Sequence, residues 1–384
     1  MEKLKILFIT SWYPIQDSTV AGVFVREHAK AVSLFDEVKV LHFTRSQNNL
    51  HGLWGIEEEK DFELTEGIPT YRAWRRNSPL PKTSFLLSLA GIFSSFHQLV
   101  LQGFLPDIIH AHVFIAGFPA VLIGKFHNIP VVITEHWGGF PRKILSKLDI
   151  RIAKFTFSQA DRVLPVSRSL QQALEEYKVR AGFSIVPNVV DMKLFHPAHI
   201  MDDVLTKRIL FVGNLEQTHV KGFPVLLHAL AEINKERNDW CLDVIGGGTA
   251  LYEYQQLVSN LNLSQKVQFH GFLHKVEVAR MMNQSDFLVL PSLWENLPCV
   301  LIEAMASGLP VVSTTTGGIP EIVDPETGIL VPPGDGRALR DALVRMFDHA
   351  SDYDRSLIAA KASRYSLEHV GEMLHSIYLE CRKP

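Results

Sequence analysis

Residues 286–323 read DFLVLPSLWENLPCVLIEAMASGLPVVSTTTGGIPEIV, and this stretch decides the fold. DFLVLPSL is a short apolar run of the kind found in strands buried on both faces. PCVLIEAMAS follows at helical spacing and closes at Gly308, the residue type that most often ends a helix. PVVSTTT is then a second buried strand. Strand, helix and strand in that order make a parallel βαβ unit.

Pro298 suits the first helical turn, where its missing N–H would be unpaired in any case. The N–H groups of that turn face the sheet edge and favour an anion. Glu295 falls just before the helix and Glu303 more than a turn inside it. That placement does not match the side-by-side carboxylates of an acid–base pair. Two separate contacts on one extended ligand fit better, since a carboxylate accepting from ribose hydroxyls is a common way to hold a nucleotide. The plainer alternative is a charge at the helix start for Glu295 and solvent for Glu303.

The same alternation runs outward through the chain. In the first half the strand candidates are LKILFIT, VKVLHFT, PDIIHAHV, PVVITEH, DRVLPVS and FSIVPN. Between them lie helix candidates such as GVFVREHAKAVSL, AGFPAVLIGKF and SRSLQQALEEY. A less regular stretch interrupts the pattern, which restarts with RILFVGNL, CLDVIGGG, VQFHGFL, the opening unit and GILVPP. The expectation is an α/β protein of two doubly wound, Rossmann-like domains facing a cleft. The first spans 1–190, a linker 191–206, and the second 207–365. Ligands of such sheets bind beyond the carboxyl ends of the strands.

The chain has 384 residues, 47% hydrophobic and 21% charged, enough for two cores. Cys241, Cys299 and Cys381 have no metal-like spacing and read as free thiols of a reducing compartment. The apolar run near the N-terminus is too short for a signal peptide, so the expected location is the cytoplasm. Residues 1–196 carry 22 Lys+Arg against 18 Asp+Glu and the remainder 16 against 23, so a mildly basic half precedes an acidic one. Residues 83–106 hold no charged side chain and are long enough to span a bilayer. Their serines, glutamines and two glycines point instead to a helix buried in an α/β domain.

Chemistry collects at the strand ends. FVGNLEQTHVKGF places Gly213 after a strand and Lys221 before a helix, a backbone turn beside a point charge suited to phosphate. Alone, a solvated lysine in a loop would account for it. VIGGGTA adds Gly246, Gly247 and Gly248, and TTTGGIPEIV adds Gly317 and Gly318. The glycines lack the dinucleotide-binding spacing, so a nicotinamide site has little support. In the first half His110 and His112 end a strand at i and i+2, on one face. No further ligand follows at metal spacing, so one histidine bonding a ligand is preferred to a metal pair. Glu135, His136 and Trp137 end the next strand, where an aromatic face can stack on a sugar. Residues 141–168 form a basic amphipathic segment with seven Lys+Arg against two Asp, suited to anionic lipid or an anionic substrate. A surface helix with solvated lysines is the competing reading. The acidic balance and the lack of any binding motif speak against nucleic acid. The aspartates of DYD at 352–354 lie far in sequence from every glycine turn and read as surface.

ENLPCVLIE and its continuation AMASGLPVVSTTTGGIPEIV resemble the E-x7-E signature of family 4 glycosyltransferases with the GT-B fold. VGNL with its following KG, IGGG, VPNVVD and AGVFVREHAK fall in the same order as in that family. The resemblance covers essentially the whole chain. It implies a retaining, metal-independent transferase of a hexose-type sugar from a nucleotide-diphosphate sugar, UDP-, GDP- or ADP-linked, with no further cofactor. The acceptor would be a glycan or lipid-linked, in polysaccharide or glycolipid assembly, with peripheral contact at an anionic inner membrane face. By position, Glu303 would bind the ribose and Glu295 the donor hexose. Gly213, Asn214, Gly246 and Gly247 would line the donor, and Asn296, Leu297, Cys299 and Val300 would meet sugar and phosphate. Lys221 would neutralise the departing diphosphate, Gly22 would bring backbone near it, and His112 would stand at the reaction centre, with His136 and Trp137 toward the acceptor. Residues 366–384 would form a helix returning to the first domain. Asn214 stands where many members have arginine, and Pro298 where glycine is frequent. A GT-B sugar-nucleotide epimerase and a non-catalytic nucleotide-sugar-binding protein share these features and are the alternatives.

Overall fold

The computed structural model describes residues 3–16, 18, 20–45, 53–76, 81–198 and 206–382. Its contacts divide the chain into two units, 1–189 together with 367–384, and 190–366. Asp17 and Thr19, in the loop before Gly22, and 199–205, in the expected linker, lie outside the described residues.

The first unit is built on a sheet of seven strands: β1 (Lys5–Thr10), β2 (Glu37–Arg45), β3 (Trp54–Glu58), β4 (Thr70–Arg75), β5 (Ile108–His112), β6 (Val131–Glu135) and β7 (Arg162–Pro165). Their spatial order is β3-β4-β2-β1-β5-β6-β7. Only the β3–β4 pair is antiparallel. β5 and β6 are buried along their whole length, which is why they appear in the sequence as unbroken apolar runs. β3 and β4 escape that reading because β3 is an edge strand with its second half exposed. FSIVPN does not form a strand; it contributes one bridge, Phe183 to Val163.

The uncharged segment becomes the helix Pro81–Leu101. Ile92, Phe96 and Leu99 are buried along one side, while Phe85, Leu86 and Leu101 remain exposed. Among the described residues, no helix is long and apolar enough to cross a membrane. The last helix, Leu367–Cys381, belongs to this first unit. Val370, Leu374 and Tyr378 join the core around β1 and the helix Val23–Ser33. Polar contacts fix its register: His375 Nδ1 lies 2.8 Å from the buried Asp36 carboxylate, and the Tyr378 hydroxyl 2.7 Å from His110 Nδ1.

The second unit holds six parallel strands, β8 (Lys207–Val212), β9 (Trp240–Ile245), β10 (Val267–Gly271), β11 (Phe287–Leu290), β12 (Val311–Thr314) and β13 (Gly328–Val331). Their order is β10-β9-β8-β11-β12-β13. Each was a strand in the sequence reading. Residues 190–198 pack within this unit: Val190 N–H donates to Tyr365 O at 2.8 Å and Ala198 N–H to Asn283 Oδ1 at 2.7 Å. The two DYD aspartates have local structural partners. Asp354 caps the helix Arg355–Ala362 through the N–H groups of Ser356 and Leu357, and Asp352 pairs with His349 at 2.9 Å. The three cysteines are free thiols.

Candidate active site

In the second unit the loops after β8, β9, β11 and β12 converge on one sheet edge. The loop after β8 continues to pair beyond its strand: Gly213 N–H donates to Ile245 O at 3.0 Å and Leu215 N–H to Gly247 O at 2.9 Å. Asn214 is thereby held exposed beside the glycine turn. Lys221 precedes Gly222, whose φ of 66° is left-handed. A Cβ at Gly222 would sit 1.9 Å from Pro291 O, so only glycine lets this loop lie against the end of β11. That approach lets the Lys221 ammonium reach Glu295, 74 residues away, with Nζ 2.6 Å from Oε1. Ser292 Oγ donates to the same oxygen at 2.7 Å. The Glu295 side chain is only 10% exposed and Lys221 27%, so the pair is shielded more than an ordinary surface bridge.

The helix Cys299–Ala306 starts immediately beyond. Pro298, expected in its first turn, is instead its cap, with an extended backbone at φ −71° and ψ 118°. The reason is local: residues 291–298 form the bend that presents Glu295, and the helix begins only after it. No side chain caps this helix end, so the backbone at Cys299 and Val300 carries the positive end of the helix dipole. Glu303 lies one turn in and is half-buried. Behind the Glu295 bend, Gly318 N–H donates to Asn296 O at 2.8 Å and Thr314 Oγ1 to Ser292 O at 2.6 Å. The strand end of β12 thus braces the strand end of β11.

The first unit presents a second cluster. Gly22, at φ 70°, heads the helix Val23–Ser33, and Phe24 just after it lies against the His136 ring at 4.4 Å. His110 and His112 share one face of β5 but not one role. His110 is consumed by the fold, bonded to Tyr378 and to Thr134 Oγ1 at 2.6 Å. His112 places Nδ1 3.0 Å from His136 Nε2, the rings nearly parallel at 15°. Its Nε2 is buried with no hydrogen-bond partner among the described residues. The next residue, Val113, adopts φ 69°, unusual for a β-branched side chain and a mark of strain kept beside His112.

Glu135 joins the two histidine loops. Its Oε2 accepts from Phe114 N–H at 3.0 Å, and its Oε1 accepts from His136 N–H at 3.0 Å and Trp137 N–H at 2.8 Å. Burial pushes its carboxyl up to about 7 against those three bonds. His112 and His136 are both held well below the usual imidazole range, by burial first and by neighbouring histidines second. Trp137 is half-buried, its ring against Phe114 at 5.8 Å.

His28, His112 and His136 have ring nitrogens within 4.8 Å of one another, spacing that a cation could use. The donor set does not fit one. His28 Nδ1 and Nε2 already face the carbonyl oxygens of Phe24 and Pro187 at 2.9 and 3.0 Å. His112 Nδ1 and His136 Nε2 face each other, and Asn188 bonds His136 from its side chain. Counting partners among the described residues, one nitrogen of the three rings remains uncommitted, where a zinc site needs three or four ligands. His28, Asn188 and Ser292 did not emerge from the sequence as site residues. His28 and Asn188 lie inside REHAK and VPNVVD, stretches already marked by family order.

A family model described as Glycosyltransferase Family 4 matches residues 37–194, and one described as Glycosyl transferases group 1 matches 206–349. The amylovoran biosynthesis glycosyltransferase AmsK of Erwinia amylovora is 30% identical over 288 residues, 67% of this chain and 66% of that protein. The D-inositol 3-phosphate glycosyltransferase of Corynebacterium diphtheriae is 27% identical, covering 71% of this chain and 70% of its own. Among solved structures, Anabaena HepE in complex with UDP and glucose superposes with a TM-score of 0.78 at 20% identity, over 98% of this chain and all of its own.

Proposed function

We propose, from the premise that this chain belongs to the family 4 glycosyltransferases with the GT-B fold, that it is a retaining hexosyltransferase using a nucleotide-diphosphate sugar without a metal. The observation that carries this reading is the half-buried Lys221–Glu295 pair at the start of the helix Cys299–Ala306, where no side chain caps the helix. A diphosphate set against that helix end would meet the dipole and the ammonium together, where negative charge grows as the sugar leaves. Glu303 would accept from the ribose and Glu295 from the hexose, with backbone at Asn296, Leu297, Cys299 and Val300 between them. Gly22 would approach the diphosphate, and His112 Nε2 would meet a hexose hydroxyl. Retention places the incoming acceptor oxygen on the face the diphosphate leaves, so the departing phosphate oxygen can take the acceptor proton.

The acceptor is proposed to be a glycan or lipid-linked sugar in polysaccharide or glycolipid assembly, a reading supported by AmsK, whose name places that protein in amylovoran biosynthesis. A thermal-shift screen over UDP-, GDP- and ADP-sugars tests the donor, with UDP-glucose first because HepE was solved with it. Stabilisation by one base, with release of that nucleotide only when acceptor is present, supports a transferase. Isomerised donor without acceptor would instead mark an epimerase, and binding without any release a sensor. For Glu303→Ala the expected result is a donor Kd raised by about tenfold or more in calorimetry, the cost of one charge-assisted hydrogen bond. An unchanged Kd would remove Glu303 from the ribose.

We further propose peripheral contact with an anionic membrane at the inner face. Support comes from the helix Lys147–Gln159, where Leu148, Arg151 and Phe155 are exposed at helical spacing, with Ile144, Arg142 and Lys143 exposed just before it. Apolar side chains among cations suit the interface of an acidic bilayer. Flotation with phosphatidylglycerol vesicles should carry the wild-type protein but not Leu148→Glu/Phe155→Glu, and pure phosphatidylcholine should carry neither. Equal flotation of both proteins would sink the proposal.

A further inference from the structure

Two neutral imidazoles facing each other at 3.0 Å share one N–H, and two arrangements do this equally well. In the first, His112 Nδ1–H donates to His136 Nε2, His136 keeps its proton on Nδ1, and His112 Nε2 is a bare lone pair. In the second, His136 Nε2–H donates to His112 Nδ1, and His112 carries its proton on Nε2. Nothing within the pair selects between them. The selection has to come from whatever bonds its outer end, and that residue is Asn188.

We propose that Asn188 is a positioning residue: through His136 it fixes the tautomer of His112, and so decides whether His112 Nε2 offers a proton or a lone pair to the sugar it meets. The last clause rests on the donor reading above; the tautomer selection does not. Three observations support it. Asn188 is 6% exposed, so its amide lies inside the unit, away from water. Its backbone is pinned on both sides of the preceding proline, since Pro187 O faces His28 Nε2 at 3.0 Å and Val186 N–H donates to Pro165 O at 3.2 Å. An amide presents an oxygen acceptor and an N–H donor at fixed places. Asn188 Oδ1 is buried with no hydrogen-bond partner among the described residues, so its bond to His136 falls to the amide N–H, which makes the His136 nitrogen it meets an acceptor.

The inner end of the chain shows where that polarity is delivered. His112 Nε2 is buried with no hydrogen-bond partner among the described residues, while the neighbouring His110 has both nitrogens engaged. The groups facing the pair are the rings of His28, His110, Phe8 and Phe24. The Glu135 carboxylate beside them is turned to backbone N–H groups. Burial and the neighbouring histidines favour the neutral rings, which is the condition under which one proton must choose a side.

The test is a long-range 1H–15N correlation spectrum of the full chain labelled at histidine, near neutral pH. The two resonance sets are identified with His112→Gln and His136→Gln. Wild-type protein should show a single tautomer in each ring, with both protons on Nδ1 or both on Nε2. Asn188→Asp, which can only accept, should give the Nδ1–H form in both. Asn188→Leu should give averaged signals, and kcat lower by about tenfold with donor KM little changed, the range seen when an outer partner of a working imidazole is lost. Averaged or mismatched tautomers in the wild type would overturn the proposal even if the leucine variant does not fold. So would single, unshifted tautomers in Asn188→Leu. If the tautomers follow residue 188 while His112→Gln keeps full turnover, the positioning role stands and the donor reading of His112 fails.

Discussion

Lys221→Ala is expected to lower kcat by about two to three orders of magnitude with any donor, the usual cost of deleting one group that meets developing negative charge. The ammonium stands 2.6 Å from Glu295 and is mostly shielded, so its attraction for an anion placed beside it would be weakly screened by solvent. Glu295 holds the ammonium in place and is itself fixed by Ser292 Oγ. Lys221→Arg should recover only part of the rate, because a planar guanidinium cannot occupy the position of a compact ammonium at that distance. Donor Kd should move much less than kcat, since the charge grows during sugar departure. Single-turnover rates at saturating donor separate the two. Wild-type turnover in Lys221→Ala would remove the lysine from the reaction and with it the diphosphate site.

Gly317→Ala should be the most damaging substitution that adds only a methyl group. Gly317 sits at φ 56°, and a Cβ there would lie 1.8 Å from the carbonyl oxygen of Glu295. Backbone cannot yield as a flexible side chain can, so the bend carrying Glu295 and Asn296 must shift. A displacement of about 1 Å at a reacting centre costs on the order of a hundredfold in rate. The strained alanine adds about 1–3 kcal/mol of lost stability. Gly103→Ala is the matched control. It has φ 87° yet nothing within 4 Å of the added carbon, so it should lower Tm slightly and leave turnover intact. Equal turnover in the two variants would show that the β12 loop does not position Glu295.

The double-mutant cycle between Lys221 and Glu295 connects these results. If the pair works as a unit, Lys221→Ala/Glu295→Gln should cost less than the sum of the single changes.

Much of the molecule was legible in its sequence, for a physical reason. Interior strands of a parallel sheet are buried on both faces, so β1, β5, β6, β11 and β12 appear as apolar runs. The loops between them announce themselves by glycine, because backbone pressed as closely as Gly222 on Pro291 tolerates no Cβ. The edge strand β3 was missed because half of it faces solvent and carries glutamates. Pro298 was placed one position too far into its helix, since a proline accepts both sites and only the bend before it decides.

What the sequence could not divide was labour among like residues. His110 and His112 are the same residue type on the same face of the same strand. The tertiary structure separates them, because Tyr378, 268 positions later, bonds His110, whereas His112 pairs with His136 and keeps one nitrogen without a partner among the described residues. Glu295 likewise looked like one carboxylate of two until Lys221 was found 2.6 Å from it. The kinds of side chain at the site are fixed by the order of amino acids. Which of them is spent on the fold and which remains for chemistry depends on partners distant in sequence, and a hydrogen bond to such a partner exists only once the chain has folded.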